Sequence, residues 1–103
     1  MITFTYTEHG TEKTLEIIEH RNQGEVGVLI KDFYEGITNL PAVIATPRGL
    51  GGKAYDLVYS ALSKELLNNG IGDEIRISDT STTDGTLNYK IKLSDVIEQY
   101  SQR

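Results

Sequence analysis

The stretch that decides the fold is Ile2-Thr3-Phe4-Thr5-Tyr6-Thr7-Glu8, in which large apolar residues alternate with threonines. Successive side chains of a strand point to opposite faces, so Ile2, Phe4 and Tyr6 share one face and the threonines share the other. β-Branched and aromatic residues also favour strands. The pattern predicts a half-buried strand over residues 2–8 that turns its apolar face to a core.

A second strand is predicted over residues 13–19, after an interruption at His9-Gly10, with Leu15 and Ile17 on its apolar face. The hairpin register that best satisfies both strands pairs Glu8 with Lys13, Tyr6 with Leu15 and Phe4 with Ile17. This register joins opposite charges beside the turn and apolar side chains on one face. We therefore expect an antiparallel hairpin.

The middle of the chain predicts two helices separated by a short strand. Residues 25–35 carry a helical apolar stripe that Gly36 would end, although they also alternate partly as a strand; we favour the helix. Residues 42–46 are apolar and lie between two prolines, which is typical of a short strand. Residues 53–69 form the clearest helix, which Asn69-Gly70 would stop. Its predicted stripe is Ala54, Leu57, Val58, Ala61, Leu62 and Leu66.

The last third of the chain predicts another hairpin and a short helix. Residues 73–78 and 86–93 alternate on either side of a polar loop, and Ser94 is placed to cap the helix. The predicted inward side chains are Ile75, Ile77, Leu87, Tyr89, Ile91 and Leu93. The whole chain, residues 1–103, is thus expected to be a single small α+β domain. Its antiparallel hairpins would pack with helices in the order ββ-α-β-α-ββ-α.

Composition restricts the class of protein. A chain of 103 residues is the size of one domain. It has no cysteine, which excludes disulfides and thiolate chemistry. No basic and apolar leader opens the chain, and no apolar run approaches the ~18 residues of a membrane span. We expect a cytoplasmic protein without membrane contact. Compositions this plain are also typical of small accessory proteins of phages and mobile elements.

The charge of −5 is unevenly distributed. Residues 1–35 carry seven acids and three bases, and residues 65–103 carry seven acids and four bases. Residues 36–64 carry one acid and three bases. The acidic total argues against direct binding of nucleic acid. The one locally positive segment contains a glycine-rich loop.

That loop is Thr46-Pro47-Arg48-Gly49-Leu50-Gly51-Gly52-Lys53, and it directly precedes the clearest helix. Glycines before a helix let backbone N–H groups approach an anion, which the helix dipole also favours. The candidate anion-binding residues are Arg48, Gly49, Gly51, Gly52 and Lys53. Pro47 and Ala54 break the phosphate-loop pattern, and Ala54 also leaves only the alanine variant of the dinucleotide pattern. The alternative is a connection that needs glycine for its turn.

Tyrosines are the second candidate set. Tyr6 and Tyr89 are in phase with core residues, whereas Tyr34, Tyr55, Tyr59 and Tyr100 lie on predicted helices and are candidates for an exposed interface. The alternative is that they line the margin of the core. The two histidines, His9 and His20, lie at opposite ends of the predicted hairpin, roughly 20 Å apart. They cannot share a metal ion in one chain.

These observations favour a non-enzymatic role, because no nucleophile, base and stabiliser come together, and we expect no cofactor. The first hypothesis is a protein–protein interaction module, an acidic inhibitor or adaptor of a basic or nucleic-acid-handling partner. The second is a binder of a small anionic ligand, such as a nucleotide, at residues 46–53. Unpaired sheet edges also favour a homodimer.

Overall fold

The computed structural model describes residues 1–18, 26–40, 52–80 and 85–101, with side chains at all of these except 26, 52–56, 100 and 101. Its elements are β1 (Ile2–Glu8), β2 (Thr11–Ile17), α1 (Val26–Thr38), α2 (Gly52–Asn68), β3 (Glu74–Asp79), β4 (Leu87–Lys92) and α3 (Leu93–Ser101). This order confirms the predicted α+β class within the described residues. The strand predicted at 42–46 lies outside them.

The four strands form one antiparallel sheet in the order β2-β1-β3-β4. Apolar side chains of the inner face join those of the helices in a single core. The fully or nearly fully buried members from the sheet are Ile2, Phe4, Tyr6, Ile75, Ile77 and Ile91. The alternate residues form the outer face, which is polar along all four strands. A sheet with helices on one face and water on the other explains the strict alternation of β1 and β3.

The β1–β2 hairpin differs from the predicted register by two residues. Phe4 lies opposite Leu15, and Tyr6 lies opposite Lys13. The strands are joined by His9-Gly10, whose φ angles of 49° and 83° are both positive, as a type I′ turn requires. A shift of two residues leaves every side chain on its predicted face, so alternation alone could not exclude the wrong register.

Helix α1 confirms the helical interpretation of residues 25–35 over the part that the structure describes, residues 26–35, but Gly36 does not end it. A side-chain carbon at Gly36 would lie 2.7 Å from Leu15 Cδ2, so the glycine lets the helix approach β2 closely. The helix continues to Thr38, and Asn39 follows it in the left-handed region with a φ of 56°. The aromatic ring of Phe33 meets those of Phe4 and Tyr6 edge to face, at centroid distances of 4.9 and 5.0 Å.

Helix α2 buries a face rotated from the predicted stripe. Its buried side chains are Val58, Tyr59, Ser60, Leu62, Ser63 and Leu66. Leu57, predicted to be in the stripe, is 55% exposed. Ser63 is tolerated in the core because its hydroxyl donates to the carbonyl of Tyr59 at 2.9 Å. Because serine is polar, the hydrophobic pattern of α2 did not predict that Ser63 is buried.

The end of α2 agrees with the predicted stop. Gly70 has a φ of 87°, its N–H donates to the carbonyl of Leu67, and the N–H of Ile71 donates to the carbonyl of Leu66. These two bonds form a Schellman motif, and the buried side chains of Leu66 and Ile71 provide its usual apolar pair. The hairpin turn lies against this helix end, since the N–H of His9 donates to the carbonyl of Gly70.

Strand β4 and helix α3 differ from the prediction at Leu87 and at Ser94. The strand ends at Lys92 and the helix begins at Leu93, so no loop separates them. Leu87, predicted to point inward, is 41% exposed. The carboxylate of Asp73 caps the helix, whereas Ser94 lies inside the first turn and is itself bonded to Asp73. A cap supplied from another element leaves no local signal in the helix's own sequence.

Candidate functional site

The glycine-rich loop lies mostly outside the described residues. Arg48, Gly49 and Gly51 are not among them. Gly52 and Lys53 are described as the first two residues of α2, by backbone alone. The structure therefore agrees that the loop leads directly into a helix of 17 residues. The anion site itself stays a prediction.

The tyrosines predicted to form an interface divide into two groups. Tyr34 and Tyr59 are 8% and 5% exposed, and both belong to the core. The Tyr34 hydroxyl donates to Glu65 Oε1 at 3.1 Å, while the Tyr59 ring lies directly over Gly27. The expectation that these two are exposed is wrong, because α1 and α2 pack through them. The side chains of Tyr55 and Tyr100 lie outside the described set.

The outer face of the sheet is a polar surface to which all four described strands contribute. Strand registers align its side chains in two full rows across β2, β1, β3 and β4. The rows are Glu16-Thr3-Ser78-Asn88 and, in the middle of the face, Thr14-Thr5-Arg76-Lys90. Next to the middle row, Glu12 is opposite Thr7 on β1, and Glu74 is opposite Lys92 on β4. Acidic residues lie at the β2 edge and basic residues at the β4 edge. The outer face is therefore a threonine-rich surface with opposite charges at its two ends.

The middle row brings two cations together. Arg76 and Lys90 are directly opposite each other on β3 and β4. An Arg76 guanidinium nitrogen donates to Glu12 Oε2 at 2.6 Å, reaching across β1. Lys90 Nζ lies 3.8 Å from Glu74 Oε1, a looser pair. We call Arg76 and Lys90 the cation pair.

A shallow groove of about 380 Å³ lies beside the cation pair. Its polar lining comes from Thr5, Arg76, Ser78, Asn88 and Lys90, with Ile77 and Tyr89 completing the wall. Every polar member is on the outer face by register. The alternation of β3 and β4 already placed Arg76 and Lys90 outward, but only the register between the strands places them opposite each other.

Burial and charge shift the pKa of several groups. Burial raises the pKa of Tyr34, and its hydrogen bond to Glu65 raises it further. Burial also raises the pKa of Tyr89, with a further contribution from the negative charge of Asp79. Asp79 is only 1% exposed, on the inner face at the end of β3. These shifts arise from packing in the core and do not indicate catalytic tuning.

The hairpin carries a charged pair of its own. Lys13 Nζ lies 2.7 Å from Glu8 Oε1, and this hydrogen bond lowers the pKa of Glu8 and raises that of Lys13. The two residues are diagonal neighbours, because Glu8 is opposite Thr11 and Lys13 is opposite Tyr6. The expected attraction is thus present, although the predicted pairing that suggested it is wrong.

The described residues contain no group of three or more His, Asp or Glu side chains placed to hold a metal ion. His9 is exposed at the hairpin turn, where its ring lies against Gly70, and His20 is outside the described residues. None of the helices in the described ranges is long and apolar enough to cross a membrane.

Comparison of the chain with models of known families, with curated proteins and with solved structures gives no match.

Proposed function

We propose that the protein is a non-enzymatic protein–protein interaction module, an acidic inhibitor or adaptor that acts in the cytoplasm on a basic or nucleic-acid-handling partner. The observation that carries the proposal is the acidic edge strand β2. Its outward residues Glu12, Thr14 and Glu16 are all exposed, and within the described residues β2 pairs on one side alone.

An exposed edge strand offers a row of backbone N–H and C=O groups to a partner strand. Glu12 and Glu16 lie on the same face of that strand, so a partner that adds to the edge meets two carboxylates at a spacing of four residues. A basic partner is favoured because opposite charges speed association and select among competitors. A second copy of the chain could add its own strand to the same edge, so a homodimer is the alternative assembly.

The test begins with native mass spectrometry of the tagged protein from its source cell, which reports the partner and the stoichiometry together. The affinity for the purified partner is then measured as salt rises from about 0.1 M to about 1 M, where the Debye length shrinks from about 10 Å to about 3 Å. We expect the affinity to fall steeply over this range. A partner held equally tightly throughout would contradict an electrostatic mode.

Charge reversal locates the surface. Glu16→Lys is expected to weaken the complex by about tenfold or more, since it replaces an attraction with a repulsion. Glu98→Lys, on the exposed side of α3, changes the net charge equally and serves as the matched control. If both variants weakened binding to the same degree, net charge alone would explain the affinity, and the proposal that the partner binds at β2 would be rejected.

A second candidate function is supported by the start of α2 at Gly52: binding of a small anionic ligand, such as a nucleotide, at residues 46–53. Ligand linkage then raises the melting temperature in the presence of phosphorylated compounds. Arg48→Ala or Lys53→Ala should each abolish that shift and leave the protein folded. A nucleotide panel at millimolar concentration with no shift would reject this candidate.

A further inference from the structure

We propose that the groove beside the cation pair binds the phosphoryl group of a small phosphomonoester, with Arg76 and Lys90 as its charged ligands. The charged ligands of this site lie on β3 and β4, and Glu12 of the acidic edge strand reaches one of them, Arg76. The site is separate in sequence from residues 46–53, and so it goes beyond both functions proposed above.

The placement of Arg76 opposite Lys90 is unfavourable for an isolated sheet. Like charges directly opposite on neighbouring strands destabilise a sheet, and a polar residue at either position would avoid that cost. The carboxylates that compensate are Glu12, close to Arg76, and Glu74, 3.8 Å from Lys90. The side chain of Lys90 is 66% exposed, so its ammonium group remains accessible from the groove.

Neutral donors complete the site. The hydroxyls of Thr5 and Ser78 and the amide of Asn88 line the same groove. A phosphomonoester carries a charge near −2 and three terminal acceptor oxygens, which matches two cations and a ring of neutral donors. A carboxylate has one charge and two oxygens, and so it can bond to fewer of these cations and donors. Arg76 also has a guanidinium fork suited to two parallel bonds with phosphate.

The size of the groove favours a phosphorylated small molecule over free phosphate. Its volume of about 380 Å³ falls within the range of small-molecule sites, roughly 300–1,000 Å³. Phosphate alone would leave much of that space to water. The one aromatic lining residue among those described, Tyr89, belongs to the inner face by register, so we expect the phosphoryl group to provide most of the affinity.

Substitution of Glu12 should change the affinity for phosphate in the opposite direction to substitution of Arg76 or Lys90. Its carboxylate already occupies the guanidinium of Arg76 at 2.6 Å, and it therefore competes with an incoming anion. Removing that charge frees the guanidinium and lowers the local negative potential. Glu12→Gln should therefore tighten phosphate binding severalfold, whereas Arg76→Gln and Lys90→Gln should each weaken it by about tenfold, the usual effect of losing one charge-assisted contact.

The experiment titrates the full, isotope-labelled chain with inorganic phosphate and with a ribonucleoside 5′-monophosphate at constant ionic strength, following backbone amide shifts by NMR. The expected result is saturable shifts at residues 76–78 and 88–90, with the nucleotide binding more tightly than phosphate. Lys64→Gln, on the exposed part of α2, is the control and should bind like the parent. Lys90→Met keeps the aliphatic stem and provides a second variant if Lys90→Gln disturbs the strand.

Three results would overturn the proposal: no saturable shift at β3 and β4 with millimolar probe, an affinity that Glu12→Gln leaves unchanged or weakens, or shifts centred on residues 46–53 that disappear in Lys53→Gln. The last of these would favour the glycine-rich loop instead. The partner test varies Glu16 and the phosphate test varies Arg76, Lys90 and Glu12, so failure of one proposal is distinguishable from failure of the other.

Discussion

The carboxylate of Asp73 accepts hydrogen bonds from both the backbone N–H of Ser94, at 2.8 Å, and its hydroxyl, at 2.9 Å. The backbone carbonyl of Asp73 also accepts the N–H of Leu93. The residue just before β3 therefore satisfies the first turn of α3, the helix that follows β4. These bonds fix the helix to the sheet at a junction that has no loop.

Removal of this cap is expected to destabilise the protein. Asp73→Ala leaves two donors of α3 without their acceptor, and the loss of a capping side chain costs about 1 kcal/mol. For a domain of this size the melting temperature should fall by about 4–8 °C. Asp73→Asn keeps an oxygen acceptor and should retain most of the stability. Thermal unfolding followed by circular dichroism measures both.

Asp95→Ala is the matched control for the cap, since Asp95 also lies in the first turn of α3. It should lose only the weaker attraction to the helix dipole, a few tenths of a kcal/mol. Equal losses for Asp73→Ala and Asp95→Ala would mean that charge near the helix end matters and that the specific cap does not.

Glycine to alanine within a helix normally stabilises it, and we predict the opposite at Gly27, the second residue of α1. A side-chain carbon there would overlap the ring of Tyr59, a rigid group buried between α1 and α2. Gly27→Ala should therefore lower the free energy of unfolding by about 1–3 kcal/mol, the usual cost of overpacking. Urea denaturation provides the measurement.

Gly36 supplies the comparison for Gly27. Its added carbon would meet the end of the Leu15 side chain, which can rotate away. Gly36→Ala should thus cost clearly less than Gly27→Ala, and the pair of variants separates rigid from adaptable neighbours. The reverse order would show that the contact between Gly27 and Tyr59 does not control how α1 meets α2.

The hairpin turn should tolerate only certain residues at Gly10. Its φ of 83° is in the left-handed region, and an added Cβ meets no atom within 4 Å, so we expect conformation to set most of the cost. Gly10→Ala should lose about 1 kcal/mol, Gly10→Asn less, and Gly10→Val most, because asparagine tolerates this region and β-branched residues do not. Equal stability of the asparagine and valine variants in urea would contradict a type I′ turn.

Local patterns predicted the type and order of the described elements because each depends on neighbours in sequence. The alternation of Phe4 and Tyr6 was enough to define a strand and its buried face. It could not choose between registers two residues apart, and the choice was made by the length of the turn at His9-Gly10. The predicted pairing of Phe4 with Ile17 failed for that reason.

Several of the remaining misses involve contacts between residues distant in sequence. The prediction that Gly36 ends α1 failed because Leu15 packs on it, and the cap of α3 was misassigned because Asp73 lies 21 positions before Ser94. Prediction of the cation pair requires the register of β3 with β4, and the sequence of the loop between these strands does not define that register. The alternation of β3 and β4 therefore predicted which side chains lie on the outer face. Which of those side chains are neighbours depends on how the strands pair in the sheet.

The buried phenol of Tyr34 should make the protein less stable in alkali. Its pKa is raised by burial and by its bond to Glu65, so the folded state keeps a proton that the unfolded state loses above about pH 10. Stability then falls as the pH rises through the unfolded pKa, because the folded state binds more protons. Tyr34→Phe loses the hydrogen bond, which costs about 0.5–1.5 kcal/mol near neutrality, but it also loses this alkaline penalty. The gap between the parent and Tyr34→Phe in urea denaturation should narrow from about pH 8 to about pH 11; a gap that stayed constant would show that Tyr34 ionises equally easily in both states.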